Sequence, residues 1–290
     1  MKEIKKLLIC FFMIILIGFN QVTVLAANFG EVQNGKWDRI NDNVNEVDTL
    51  SYNGLLFKRG DLQLNTVEWL QWYNNLTDSV KEMISYEPLE LETQNQVDDI
   101  FSYNIYMYKL PILEKILDYI PSMYANNLLP TSGYEPAYNP TYWNKAENIG
   151  RANCYAYAMY VLCNNEGKLQ PGDMSGNRFT SLTKASIIKA AKADGPYLGG
   201  GRALRESTQN EKPGAKEYKV ALVIAPGLDY HWYIQNKDGY WSHKRGLSKV
   251  TNVDADGKKI KDPKTCSRNY GGGLNYSNFC GYYIVKCTAK

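Results

Sequence analysis

Histidine is nearly absent from this 290-residue chain, which has only His231 and His243. Two imidazoles, with no short run such as H-E-x-x-H to set them around one ion, argue against a zinc hydrolase built from a Cys and both His. No cofactor is expected. Long apolar runs are missing beyond the first 19 residues, so no segment of the mature chain is expected to span a membrane. A surplus of positive charge is missing too. The formal net charge is +3, and Lys2, Lys5 and Lys6 against Glu3 carry most of it. A phosphate-tracking surface needs clustered Lys and Arg, so nucleic acid is excluded as a partner. There is no internal repeat and no low-complexity tract.

What the chain does have starts with a leader. Three lysines, an apolar run over residues 7–19 and the small-residue site Val24-Leu25-Ala26 follow the order of a secretory signal peptide, assigned to residues 1–26. The expected localisation is secreted or cell-surface. Five cysteines remain in the mature chain: Cys154, Cys163, Cys266, Cys280 and Cys287. In an oxidising compartment an odd count leaves at least one thiol unpaired. Cys266, Cys280 and Cys287 are close enough in sequence to supply one disulfide. Cys154 and Cys163 point to opposite faces at helical spacing and are not partners.

Hydrophobic periodicity predicts a mainly helical N-terminal region over residues 27–130. A short strand is expected at 54–58. A helix follows, opened by an Asn65/Glu68 capping arrangement and carrying Val67, Trp69, Leu70, Trp72 and Tyr73. A second helix runs from Thr77 through Val80, Met83 and Ile84 until Pro88 ends it, and two more are predicted at 100–109 and 112–120. A Pro, Gly and Tyr-rich connector at 130–140 marks the boundary with a catalytic domain at 131–290. That domain reads as helices at 154–163 and 183–193, then strands at 218–224, 231–235, 240–243 and 280–285. The fold class is α+β, a helix layer on an antiparallel sheet.

The chemistry concentrates in Asn153-Cys154-Tyr155-Ala156 and, 77 positions on, Asp229-Tyr230-His231-Trp232-Tyr233. Asn153 is a favoured N-cap, so Cys154 falls in the first turn of its helix, where the peptide dipoles favour a thiolate. A thiolate nucleophile also needs a group that takes up and returns a proton, and imidazole is the natural one. Both histidines flank one hairpin at Asn236-Lys237-Asp238-Gly239. If Gly239 takes the left-handed bulge position, residues 231, 233 and 243 share a face and His243 can orient His231. A two-residue Asp238-Gly239 turn would send the rings apart. Asp254 is the rival third member. The Cys154 amide and, more weakly, the Asn148 side chain are candidate oxyanion donors.

A Cys at a helix start, a His opening a strand and a second His twelve residues on across a hairpin resemble the NlpC-type papain-like hydrolases. Gln170-Pro171-Gly172-Asp173 is similar to that family's Pro-Gly-Asp turn. The resemblance covers residues 153–254. It implies a papain-like core, with Cys154 as nucleophile, His231 as base and His243 as orienting residue. It also implies cleavage of an amide in peptide or peptidoglycan. The alternative is a non-catalytic secreted module that binds glycan or protein through exposed Tyr and Trp.

Overall fold

The computed structural model describes residues 49–92 and 128–288. The leader and the helices expected at 100–109 and 112–120 lie outside the described residues. The chain opens with a hairpin, β1 (Thr49–Tyr52) and β2 (Leu55–Lys58). Its two-residue turn is Asn53-Gly54, both at positive φ, the combination that follows the twist of paired strands. Helix α1 (Leu64–Asn74) buries Val67, Trp69, Leu70 and Tyr73. It starts before Asn65, whose Oδ1 accepts only from the neighbouring Thr66 N–H, so the Asn65/Glu68 cap does not form. Helix α2 (Asp78–Lys81) is a single turn rather than a helix running to Pro88. The reason is competition for donors, because the Ser85 and Tyr86 N–H groups are taken by the Asp229 carboxylate at 3.0 and 2.7 Å.

After the connector come α3 (Pro140–Trp143), α4 (Ala146–Ile149), α5 (Cys154–Ala158) and α6 (Lys184–Asp194). Helix α5 stops short of the expected Cys163. Arg202 and Tyr218 donate to the terminal carbonyls of Met159 and Ala158, and Tyr160 turns left-handed at φ 56°. The strands are β3 (Arg202–Ser207), β4 (Glu217–Ala225), β5 (Asp229–Gln235), β6 (Trp241–Lys244), β7 (Val250–Thr251) and β8 (Asn278–Cys287). They form one six-stranded antiparallel sheet in the order β3-β8-β4-β5-β6-β7.

Both faces of the sheet are covered, which is why β4 reads as a nearly unbroken apolar run. Side chains alternate along it. Leu222, Ile224, Tyr230, Trp232 and Ile234 pack with α5 and α6 on one face. Ala221, Val223, Tyr233 and Trp241 pack with Tyr52, Trp69, Leu70 and Ile84 on the other. Residues on both sides of the connector therefore share one core. Leu70 is fully buried in it. Leu70→Ala should cost about 2–5 kcal/mol, as truncation of a buried leucine does, and lower the stability of the whole sheet in a single urea transition followed by tryptophan fluorescence. Two separate transitions would mean that residues 49–92 fold on their own.

Candidate active site

Asn153 caps α5 by accepting from Ala156 N–H at 3.1 Å, while its amide donates to Leu169 O at 2.8 Å. The cap thus fixes the helix start and ties it to the segment ahead of Gln170. Cys154 lies beside the first part of β5, ahead of Tyr233, the first of its residues paired with β6. There its thiol donates to the Tyr230 carbonyl at 3.8 Å.

The hairpin turn has Gly239 at φ 81° donating to Asn236 O, and the register places Tyr233 opposite His243. This is the bulged turn that puts residues 231, 233 and 243 on one face. His231 Nε2 and His243 Nδ1 are 2.8 Å apart, and His243 Nε2 lies 3.0 Å from Val253 O. A carbonyl only accepts, so His243 Nε2 carries a proton and, in a neutral ring, His243 Nδ1 is an acceptor. His231 Nε2 must then donate, which leaves a lone pair on His231 Nδ1. That atom is buried and has no hydrogen-bond partner among the described residues.

Two expected groups are placed elsewhere. Asp254 accepts from the N–H groups of Asp256, Lys258 and Ser267, so it shapes its own loop, and its neighbour Val253 serves His243 instead. The Asn148 amide donates to Tyr142 O at 2.9 Å, bracing the turn between α3 and α4.

Electrostatics correct a further expectation. Cys154, His231 and His243 are each fully buried. Burial, and then the Asp229 carboxylate, push the thiol well above its ordinary value. The Ser85 hydroxyl, the Trp232 N–H and Lys244 only partly offset this. A helix terminus contributes about 0.3–1 kcal/mol, less than the desolvation of a charge costs, so α5 does not yield a thiolate in this closed state. Burial likewise holds His231 well below its ordinary value and His243 down to about 3. Lys244, on the α5 face, is pushed down to about 7 by burial against the pull of the Cys154 thiol. Cys163 is a buried core residue, and all five cysteines at 154–287 are free, so the disulfide expected among Cys266, Cys280 and Cys287 does not form.

Insoluble matrix shell protein 1 of Ruditapes philippinarum is 37% identical to this chain over 153 residues, which are 53% of this chain and 92% of the relative. The chain belongs to the family of insoluble matrix shell protein 1. No family model and no solved structure matches it. Among the described residues, no helix is long and apolar enough to cross a membrane, and no group of three His, Cys, Asp or Glu is arranged to hold a metal.

In this member of the shell protein family, three residues around the site had no role assigned from the sequence. Asp229 collects donors from four residues, and Gln170 bridges the Tyr230 hydroxyl at 3.0 Å and the Ser85 carbonyl at 2.8 Å. Ser85 lies on a strap from the N-terminal region that crosses the site. Gln170 opens the Gln-Pro-Gly-Asp turn, so a signal for it existed. Ser85 has none, because its proximity is purely tertiary.

The ring geometry yields a direct check. Unfolded histidines protonate near pH 6.5, whereas these two resist protonation, so they favour the folded state above that pH. This contribution is lost as pH falls from 6.5 toward about 3, the folded value of His243. The raised carboxylates of Asp173, at about 8, and Asp229, at about 6, act with the opposite sign. The rings themselves are therefore the cleaner probe. Both Cε1–H NMR signals should stay fixed between about pH 8 and pH 5, where a solvated imidazole would titrate.

Proposed function

We propose that this chain is a secreted cysteine hydrolase with a papain-like, NlpC-type core that cleaves an amide bond in peptide or peptidoglycan. The observation that carries this reading is the fixed tautomer of His231. A chain of hydrogen bonds from Val253 O through His243 leaves a buried proton-accepting nitrogen without a partner. Buried polar atoms are usually paired, and a base that must take up a proton is one role that leaves a nitrogen open. Cys154, with its sulfur against the carbonyl of the residue preceding His231, supplies a nucleophile. The packing of α5 on the antiparallel sheet supports the papain-like arrangement. The leader supports secretion, as does a relative named for a shell matrix, a structure outside cells.

In the reaction, His231 Nδ1 removes the thiol proton and Cys154 Sγ adds to the substrate carbonyl. The amine leaves with that proton as the C–N bond breaks. Water then cleaves the thioester, giving a carboxylic acid and restoring the thiol. His243 keeps the base in the correct tautomer and stabilises it when protonated.

A second reading follows from the shell protein itself: a non-catalytic matrix module that binds glycan or protein through exposed aromatics such as Tyr134 and Tyr197. Incubation with peptidoglycan or peptides, followed by mass spectrometry of the products, separates the two. Added to Gly246→Ala, in which the strap is displaced, Cys154→Ala and His231→Ala should each slow product release by about 10²-fold or more. His243→Asn, which keeps an acceptor near Nδ1, should be intermediate. Retention on an insoluble glycan with no product from either wild type or Gly246→Ala, whose added methyl displaces the strap, would favour the matrix module.

A further inference from the structure

The strap that crosses the site is held in a particular way. Ile84 and Ser85 are fully buried. The Ser85 and Tyr86 N–H groups donate to Asp229 at 3.0 and 2.7 Å, and the Ser85 carbonyl accepts from Gln170 Nε2 at 2.8 Å. Leu247 N–H holds the Glu82 carbonyl at 3.1 Å. Gly246, at φ 46°, lets the strap lie close, because a Cβ there would run into the Glu82 and Ile84 carbonyls. The Ser85–Tyr86 backbone beside Cys154 therefore has its amides and carbonyl bound by side chains, as those of a peptide substrate would be.

We infer that residues 84–86 occupy the substrate's position beside Cys154, that Gln170 is the side chain that binds the carbonyl under attack, and that the enzyme is latent until this strap leaves. The inference rests on the cysteine hydrolase reading. Gln170 suits the role because its amide is held from the other end by the Tyr230 hydroxyl. A donor fixed in advance stabilises a developing oxyanion without reorganising. The strap escapes cleavage because the thiol proton is directed to Tyr230 O, and no hydrogen bond among the described residues joins the sulfur to His231 Nδ1. No thiolate forms while the strap stays.

The test is alkylation of the full chain with iodoacetamide at pH 7, read by peptide mass spectrometry at Cys154, with Cys163 as the internal reporter of global unfolding. In wild type Cys154 should react slowly. In Gly246→Ala it should react at least about 10-fold faster while Cys163 stays protected. Equal Cys154 rates in wild type and a folded Gly246→Ala would overturn the latch. In case Gly246→Ala does not fold, wild type supplies a second measurement. Across a urea series Cys154 should become reactive well before Cys163, and coincident exposure would overturn the latch.

Activity then separates the two claims. Gly246→Ala that exposes Cys154 but hydrolyses nothing would overturn the hydrolase reading and leave the strap's covering role standing. Hydrolysis at the same rate in wild type and Gly246→Ala would overturn latency and leave the hydrolase. Adding Gln170→Ala to Gly246→Ala should keep fast alkylation of Cys154 and lower kcat by about 10²-fold, the cost of losing one oxyanion donor. An unchanged kcat would remove Gln170 from the site.

Discussion

Four hydrogen bonds converge on the Asp229 carboxylate, from Ser85 N–H, Tyr86 N–H, Tyr230 N–H and the Tyr276 hydroxyl. They come from the N-terminal strap, from β5 itself and from the loop before β8. A fully buried carboxylate is costly unless donors surround it. Burial raises Asp229 to about 6, with the four donors pulling the other way, so the group is ionised at neutral pH. Charge-assisted hydrogen bonds are the stronger kind, and here they join segments far apart in sequence. The end of α2, the start of β5 and Tyr276, which packs against His231, all meet at this one charge.

The same burial that stabilises this arrangement works against the charge separation that the proposed hydrolysis requires. A thiol, two imidazoles and a lysine lie in one dry region, and desolvation disfavours the charged form of each. A thiolate and imidazolium pair needs either water or close mutual contact. The Cys154 side chain reaches the edge of β5 from the α5 face, while the His231 ring packs against Tyr233 and Tyr276 on the other. No hydrogen bond among the described residues joins the sulfur to the ring, and burial keeps both uncharged. Such a state is stable as a fold and, under the hydrolase proposal, holds its nucleophile and base uncharged, and the two properties have one cause.

What could be read from the sequence were local rules. The N-cap at Asn153 and the bulged turn closed by Gly239 depend on neighbours within four residues, and both form with the expected geometry. The strands around His231 and His243 came from alternation and turn residues, and their register followed from the turn. The Asn53-Gly54 hairpin was legible by the same rule, yet only its second strand was expected. Outcomes set by distant partners were not legible. Helix α5 ends early because Arg202 and Tyr218 take its carbonyls, and α2 ends early because Asp229 takes the next amides. The low thiol pKa expected for Cys154 failed for the same reason. A helix start is visible in sequence, whereas the depth at which it is buried is not.

The relationship to a shell matrix protein and the site geometry bear on different parts of the molecule's physics. A matrix component needs an exposed surface and a stable core. Neither requires a fixed histidine tautomer or a side-chain amide aimed at the backbone carbonyl of the strap. The sheet alone would be equally stable with apolar residues at 231 and 243, since buried polar networks contribute little over well-packed hydrophobic ones and cost more when one member is left unpaired. The unpaired His231 nitrogen is such a cost, carried in a core where Tyr233, Tyr276 and Trp241 already fill the space with aromatic surface. Stability gives no reason for that atom to stay unpaired. The bond-breaking step proposed for this site, which needs a base there, would supply one.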